Sequence, residues 1–194
     1  MNEVKEKQFV LPGDKIIESM DYLPGKNCYR DGNTIYSKRV GLVYVKNRVI
    51  NIVPLAGIYV PEAGDMVIGE IKDIQYSGWV VDINSSYSAF LPLSGVRSYI
   101  DPLKTDMAKI YNIGDFIYTK ITLISTLKTA YLTMKDKSTR KLIAGRIIKI
   151  SPVKVPRVIG KHGSMINLIK EKTGCRMIVG QNGVIWIDGG DINK

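Results

Sequence analysis

The sequence predicts a mainly β protein that ends in a smaller α+β domain, and three observations support this fold class. Gly-Asp comes directly before a β-rich run three times, at Gly13, Gly64 and Gly114, and each pair is typical of a turn that leads into a strand. About the first 130 residues are short runs rich in Val, Ile and Tyr, separated by Asn, Asp, Gly or Pro. Helical periodicity begins only near Ile166. This is the pattern of small β barrels or sandwiches followed by a different kind of domain.

Two breaks in this pattern divide the chain into three predicted domains. The first break is the segment PEAG at residues 61–64, and the second is the polar segment KDKSTR at residues 135–140. We therefore expect a small β domain over residues 1–63, a second β domain over residues 64–137 and the α+β domain over residues 138–194.

The α+β domain is predicted to begin with one strand and a short helix. The run LIAGRIIKIS at residues 142–151 reads as a single strand, and a short helix at residues 157–159 follows after two prolines. After the glycine loop, which we define as residues 160–163 (Gly-Lys-His-Gly), Ser164 is a good N-cap for a second helix.

The second helix is expected to run to about Thr173, with Gly174 just beyond its end. Its inward face is predicted from helical spacing, and comprises Met165, Leu168, Ile169 and Lys172. The runs CRMIV and VIWID then form a hairpin across Gln181-Asn182-Gly183, because Asn-Gly favours a tight turn.

Positive charge is concentrated near the C-terminus. The formal net charge is +10, yet residues 64–139 carry eight basic and eight acidic side chains. Residues 140–176, which we call the basic segment, hold ten Lys or Arg and a single acid, Glu171. A segment this one-sided favours a polyanionic partner. Nucleic acid is favoured over a membrane, because the charges lie among strand-like and glycine-rich stretches instead of along one amphipathic helix.

Other kinds of site find little support in the composition. Cys28 and Cys175 are isolated, and the chain has one histidine, so we predict two reduced thiols, no metal site and no cofactor. No Ser/His/Asp pattern or acid cluster supports an active site, so we expect a protein that is not an enzyme. The absence of a long apolar run and of a secretory signal makes the cytoplasm the expected location, with no membrane partner.

The glycine loop has the parts of a phosphodiester-binding element. Gly160 and Gly163 let the backbone approach a ligand closely, and the following helix start offers free N–H groups. Lys161 adds a cation. The spacing does not fit a nucleoside-triphosphate loop, which needs G-x-x-x-x-G-K-[ST].

Residues 143–190 resemble a type I KH domain. The resemblance rests on VIGKHG, then Ile166 and Ile169, then Thr173-Gly174 and an apolar strand. In that family the loop clamps about four nucleotides of single-stranded RNA. The resemblance implies a clamp of Gly160, Lys161, His162 and Gly163, a base groove of Ile159, Ile166, Ile178 and Val179, and further RNA contacts from Lys154 and Arg157. The alternative is that the loop is only a turn between two helices.

Residues 64–135 are similar to the OB-fold repeat of ribosomal protein S-one, which implies a five-stranded barrel that binds single strands. This copy has Ser77-Gly78 where an aromatic residue and glycine are usual, and Pro92 where a histidine is common. Tyr76, Trp79 and Phe90 are therefore as well explained by core or interface positions as by base stacking. Its loops offer further phosphate contacts, namely Arg97, Lys104, Lys109 and Lys128.

The order of the three domains, with the opening VLPGD, resembles the archaeal exosome RNA-binding cap subunits of the Rrp-four type. That resemblance implies a non-catalytic subunit that guides single-stranded RNA into a hexameric ring of RNase-PH-like subunits. Three cap copies, or a mixture with a related cap protein, would sit on each ring, docked through the N-terminal domain. Two alternatives remain open: a transcription- or translation-associated RNA binder with the same modules, and a scaffold whose basic segment contacts acidic protein.

The KH resemblance also implies a third helix after the hairpin. The sequence VIWIDGGDINK ends at Lys194, and Asp191 is a good N-cap residue. We therefore expect a KH domain without its last helix, in which the apolar sheet face that carries Trp186 lacks its cover. The alternative is that another element covers that face.

Overall fold

The computed structural model describes residues 7–98, 100 and 105–189, and the chain forms two compact units, residues 1–57 and residues 58–194. Strands dominate both units, so the predicted fold class is confirmed. The second unit contains both the OB-type barrel and the α+β part, and the division into three domains stays a prediction.

The first unit is built from seven short strands in two sheets. One sheet has the order β1 (Phe9–Val10), β6 (Gly41–Lys46), β7 (Val49–Pro54) and β3 (Leu23–Pro24), and the other has β2 (Lys15–Glu18), β5 (Thr34–Ser37) and β4 (Cys28–Asp31). Alternating apolar side chains of both sheets form one buried core: Val10, Ile17, Cys28, Ile35, Val43, Ile50 and Ile52.

The second unit begins with a closed five-stranded barrel. Its strands are β8 (Met66–Gln75), β9 (Gly78–Asp82), β10 (Ser88–Pro92), β11 (Phe116–Ile124) and β12 (Thr129–Thr133). The neighbours are antiparallel except for β10 and β12, whose parallel pairing closes the barrel together with the β11–β12 pair. Two 3-10 turns, Leu93–Gly95 and Met107–Lys109, lie between β10 and β11. The predicted OB-type barrel is confirmed.

The three Gly-Asp turns are confirmed and share one local structure. Each glycine has a positive φ, and each aspartate accepts a hydrogen bond from the backbone N–H three residues earlier. The N–H donors are those of Leu11, Glu62 and Asn112. Glycine permits the left-handed backbone, and the carboxylate holds the turn, so a two-residue signal is enough to start β2, β8 and β11.

The predicted single strand at residues 142–151 is wrong. The chain forms β13 (Arg140–Leu142), which pairs with β11 of the barrel, and β14 (Arg146–Lys149), which begins another sheet. Ala144 and Gly145 interrupt the run because both have positive φ values, 59° and 86°, which lie outside the β region of backbone angles.

The α+β part has the element order β-α-α-β-β. After β14 come α1 (Val155–Ile159), α2 (Ser164–Thr173), β15 (Arg176–Val179) and β16 (Val184–Asp188), and the sheet order is β14-β16-β15, all antiparallel. The predicted hairpin across residues 181–183 is confirmed, as is Gly174, which ends α2 in the left-handed conformation.

Two details of α2 differ from the prediction. Ser164 is the first helical residue, and Gly163 occupies the N-cap position without any side-chain cap. Met165, Leu168 and Lys172 are exposed, whereas Ile166 and Ile169 are half-buried. The inward face is therefore rotated from the predicted one and is centred on Ile166 and Ile169.

The apolar sheet face that carries Trp186 is covered by the barrel. Trp186 belongs to one buried cluster with Ile178 and Val184 of the sheet and with Ile68 and Leu142 of the barrel strands. The prediction that this face lacks a cover is thus wrong, and the alternative of another covering element is correct. Asp191, at which a further helix was predicted to start, lies outside the described residues.

Candidate nucleic-acid interface

The glycine loop connects α1 to α2 with three positive φ values: 73° at Gly160, 52° at His162 and 79° at Gly163. The N–H of Gly160 donates to the carbonyl of Pro156 and ends α1. A Cβ on Gly160 would lie 2.8 Å from the Met165 nitrogen, so only glycine fits there. Gly163 has more room, since a Cβ there would meet no atom closer than 3.8 Å, and its backbone angle alone favours glycine.

At the start of α2 the N–H of Ser164 donates to the carbonyl of Lys161, and Gly163 at the N-cap has no side chain to bond the N–H groups that follow. No side chain caps its first turn, and that turn carries no acidic residue. Lys161 and His162 are exposed beside it. Backbone N–H groups at a helix start, close to a cation, suit a phosphate oxygen. The loop therefore has the geometry that the sequence predicts for an anion site.

The basic segment is largely free of neutralising acids. Lys141 pairs with Asp115, and Arg176 pairs with Asp188 at 2.7 Å. Among the described residues the other eight basic side chains have no carboxylate partner: Arg140, Arg146, Lys149, Lys154, Arg157, Lys161, Lys170 and Lys172. Lys154 and Arg157, predicted as RNA contacts, are both exposed next to α1. Lys161 of the glycine loop, and Lys154 and Arg157 in the segment that leads into it, are therefore cations without a carboxylate partner.

Three of the four residues predicted to form a base groove are partly accessible. Ile159, Ile166 and Val179 are half-buried, so each presents part of its side chain to solvent near the loop. Ile178 is only 8% exposed and lies in the cluster shared with the barrel. It is therefore not a groove residue. Neighbouring strand residues face opposite sides of a sheet, so the half-buried Val179 lies on the side away from the barrel.

Arg97, a predicted phosphate contact, is exposed, and its guanidinium also holds a neighbouring part of the chain. Its Nε donates to the carbonyl of Met134 at 2.9 Å, and Nη2 donates to the carbonyls of Asp136 and Thr139 at 2.7 and 3.1 Å. These hydrogen bonds hold residues 134–139 against the barrel. The segment predicted as a polar linker is therefore a loop that is hydrogen-bonded to the barrel. Of the other barrel cations, Lys104 lies outside the described residues, and Lys109 and Lys128 are exposed.

The barrel aromatics divide into core and surface. Trp79 is 0% exposed, and its Nε1 donates to the carbonyl of Tyr111 at 3.0 Å, so it is a core residue. Tyr76 is 70% exposed. Phe90 and Tyr131 are half-buried partners in the β10–β12 register, with ring centroids 6.4 Å apart in an edge-on arrangement. Sequence reasoning missed Tyr131, although alternation in TAYLT, with Ala130 and Leu132 buried, places it on the outer face.

In the part of the chain that the structure describes, no helix has the length and apolar character needed to cross a membrane. The same residues contain no group of three or more His, Cys, Asp or Glu side chains placed to hold a metal ion.

Three family models match successive parts of the chain. They are described as the Exosome RNA binding protein RRP4 N-terminal domain over residues 7–56, the RRP4 S1 domain over residues 58–123, and the KH domain over residues 145–193. A crystal structure described as that of a candidate exosome complex RNA-binding protein is 37% identical, with a TM-score of 0.64, and covers 70% of this chain and 78% of its own.

Curated relatives are similar over nearly the whole chain. The exosome complex component Rrp4 of Thermococcus kodakarensis is 44% identical over 96% of this chain and 73% of its own length. The proteins of the same name from Methanothermobacter thermautotrophicus and Methanothermus fervidus are 44% and 42% identical, again over 96% of this chain, which spans 58% and 82% of their lengths. With this identity, and with the family's N-terminal, S1 and KH domains in order, the chain belongs to the Rrp4 family of exosome complex components.

Proposed function

We propose that this chain is a non-catalytic cap subunit of an archaeal exosome. It binds single-stranded RNA and guides the strand into a hexameric RNase-PH-like ring for degradation and processing from the 3′ end. The observation that carries this proposal is the glycine loop, which lies at a helix start without a side-chain cap and carries Lys161, a cation without a carboxylate partner. Family membership favours an exosome role over a transcription- or translation-associated one. Both cysteines are free thiols, in keeping with action in the cytoplasm.

In the α+β part, which we now call the KH part, phosphates bind the glycine loop and bases bind the groove. Backbone N–H groups at the start of α2 and the ammonium of Lys161 contact the phosphodiester backbone, while His162 lies at the same exposed edge. Apolar surfaces of Ile159, Ile166 and Val179 receive the unstacked bases. Lys154 and Arg157 extend the phosphate track along α1.

The barrel adds a second surface for the same strand. Phe90 and Tyr131 form an aromatic pair on its outer face, and bases stack on such faces with little dependence on sequence. Lys128 lies nearby in chain order, in the turn between β11 and β12, with its ammonium 6.0 Å from the ring of Tyr87. Lys109 is a further exposed cation on this barrel.

The first unit provides the docking surface for the ring. The strand register places Phe9, Leu42 and Val53 side by side, and we call these three residues the apolar row. Phe9 and Val53 are 55% and 50% exposed, with Tyr44 exposed on the same face. A contiguous exposed apolar surface of this kind marks a protein interface. Three such caps, or a mixture with a related cap protein, occupy one ring.

Replacing Phe9 and Val53 together with lysine is expected to abolish co-purification with the ring subunits. Two ammonium groups would be buried in an apolar interface without partners. Size-exclusion chromatography of the chain mixed with the ring measures the effect. The matched control replaces Met20 and Ile113, which are exposed apolar residues outside the apolar row, with lysine. Equal retention of the ring by both variants would contradict docking through this face.

RNA binding by the isolated chain is expected to weaken steeply with salt. Each phosphate contact on a single strand contributes a slope of about 0.7 in log affinity against log salt. The clamp and its neighbouring cations predict a slope equivalent to several contacts. Fluorescence anisotropy of a labelled single-stranded RNA at increasing KCl measures it. The RNA is expected to stay at full length throughout, since the ring carries catalysis. A flat salt profile would contradict the binding mode, and shortened RNA would contradict the non-catalytic role.

A further inference from the structure

The turn between β15 and β16, residues 180–183, is anchored in the barrel through Asn182. This side chain is 0% exposed. Its Nδ2 donates to the carbonyls of Ile68 and Ile83, at 2.7 and 2.8 Å, and its Oδ1 accepts from the N–H of Ile68 at 3.4 Å. Both donors and one acceptor position are therefore used by barrel backbone. We call residues 180–183 the junction turn.

Backbone contacts reinforce this anchor. The N–H of Gln181 donates to the carbonyl of Met66 at 2.9 Å, and the N–H of Met66 donates to Oε1 of Gln181 at 3.0 Å. A Cβ on Gly180 would lie 2.9 Å from the nitrogen of Ile68, so the two backbones are in close contact. Only glycine permits that approach.

The anchor lies beside the apolar cluster of Ile68, Leu142, Ile178, Val184 and Trp186. Trp186 also donates from Nε1 to the carbonyl of Ala144, at 2.8 Å, within the three residues that connect β13 to β14. The buried hydrogen bonds of the Asn182 amide and the buried apolar surface together resist separation of the KH part from the barrel. Opening the junction would leave polar groups without partners. These contacts therefore oppose independent motion of the KH part on its short connection.

We propose that Asn182 is a positioning residue that makes the glycine loop and the outer face of the barrel one bivalent RNA-binding surface. This inference rests on the proposed function. A strand long enough to reach both surfaces gains affinity because the second contact forms at a high effective concentration, and that gain depends on the separation being kept. A strand that fills only the clamp of about four nucleotides gains nothing from it.

Asn182→Asp tests this role with little change in size. Aspartate suits turns as well as asparagine does, so the hairpin is retained. It loses both N–H donors, however, and places a carboxylate against two carbonyl oxygens in a buried junction. The matched control is Gln181→Glu, which adds the same charge to an exposed position of the same turn and keeps the oxygen that accepts from Met66.

Two RNA lengths separate positioning from simple damage to the KH fold. Asn182→Asp is expected to weaken binding of a 20-nucleotide strand by about tenfold, and to leave binding of a five-nucleotide strand within about twofold of the unchanged protein. Gln181→Glu is expected to change neither by more than about twofold. Equal losses for both lengths would overturn the proposal, because they would show that Asn182 serves only the KH fold. No loss for either length would overturn it as well.

Amide residual dipolar couplings of the full chain give a readout that needs no RNA. One alignment tensor is expected to fit the barrel and the KH part in the unchanged protein and in Gln181→Glu, whereas Asn182→Asp is expected to need two. A single tensor for Asn182→Asp would overturn the positioning role. If the unchanged protein bound neither RNA, the proposed function would fail, and the couplings would still decide whether Asn182 sets the orientation.

Discussion

Replacing Lys161 and His162 together with aspartate is expected to lower the affinity for single-stranded RNA by about 100-fold while the fold persists. Both side chains are exposed at the uncapped start of α2, where the proposal places phosphates. Each new carboxylate within about 4 Å of a phosphate costs about 1 kcal/mol in water, and the attraction of Lys161 is lost as well. A total of about 2–3 kcal/mol corresponds to roughly 100-fold in affinity.

The glycines are left in place in this variant for a structural reason. A side chain on Gly160 would collide with the backbone of Met165, so its replacement would disturb the loop itself. Aspartate is among the residues that tolerate the positive φ of His162.

The matched control is Lys46→Asp with Asn47→Asp, in the turn between β6 and β7. It makes the same change in net charge at pH 7 on two adjacent exposed residues, and the second residue again has a positive φ. Fluorescence anisotropy measures affinity, and a thermal melt confirms the fold. An equal effect of both variants would show that total charge decides binding. An unchanged affinity of the Lys161/His162 variant would show that the loop is only a turn.

Trp79→Ala is expected to destabilise the second unit by about 3–5 kcal/mol. Truncating a fully buried aromatic removes its transfer free energy and leaves a cavity. The indole of Trp79 is enclosed by the barrel, packs edge-on against Tyr111 at 5.3 Å, and satisfies the carbonyl of Tyr111. Alanine would leave that buried carbonyl without this donor, which adds to the loss.

Urea unfolding followed by the fluorescence of Trp186 measures this effect, because Trp186 is then the only tryptophan and lies in the cluster between barrel and KH part. Tyr76→Ala removes an exposed aromatic of the same barrel and is expected to change the free energy of unfolding by no more than about 0.5 kcal/mol. Similar midpoints for the two variants would mean that Trp79 is not the core residue its burial indicates.

Features decided by a few adjacent residues were predictable. The Gly-Asp turns, the left-handed Gly174 and the hairpin at residues 181–183 each depend on local backbone preference, and all three are confirmed. Where the local signal was ambiguous the prediction failed. The apolar run at residues 142–151 has strand-like residues on both sides of Ala144 and Gly145, so composition did not reveal that it serves two sheets.

The candidate site shows the same limit. The glycine loop is visible in the sequence because its glycines and cation are contiguous, and the structure gives it the predicted backbone. Ile178 looks like a surface candidate but is buried in the barrel cluster, and the exposed Arg97 also bonds the carbonyls of residues 134–139. In the sequence Asn182 looks like an ordinary turn residue. In the structure its side chain is buried and makes three hydrogen bonds to the backbone of the barrel.

The sequence by itself determined the β-rich class, the positions of the turns and the backbone of the glycine loop, because turn chemistry and side-chain periodicity act over a few residues. The tertiary structure alone decided which side chains are free to meet RNA and that the barrel covers the sheet face of Trp186. Those outcomes depend on groups more than 100 residues apart in the chain, such as Asn182 and Ile68, which meet only after folding. Burial and hydrogen bonding across such distances are properties of the packed molecule, and no local pattern encodes them.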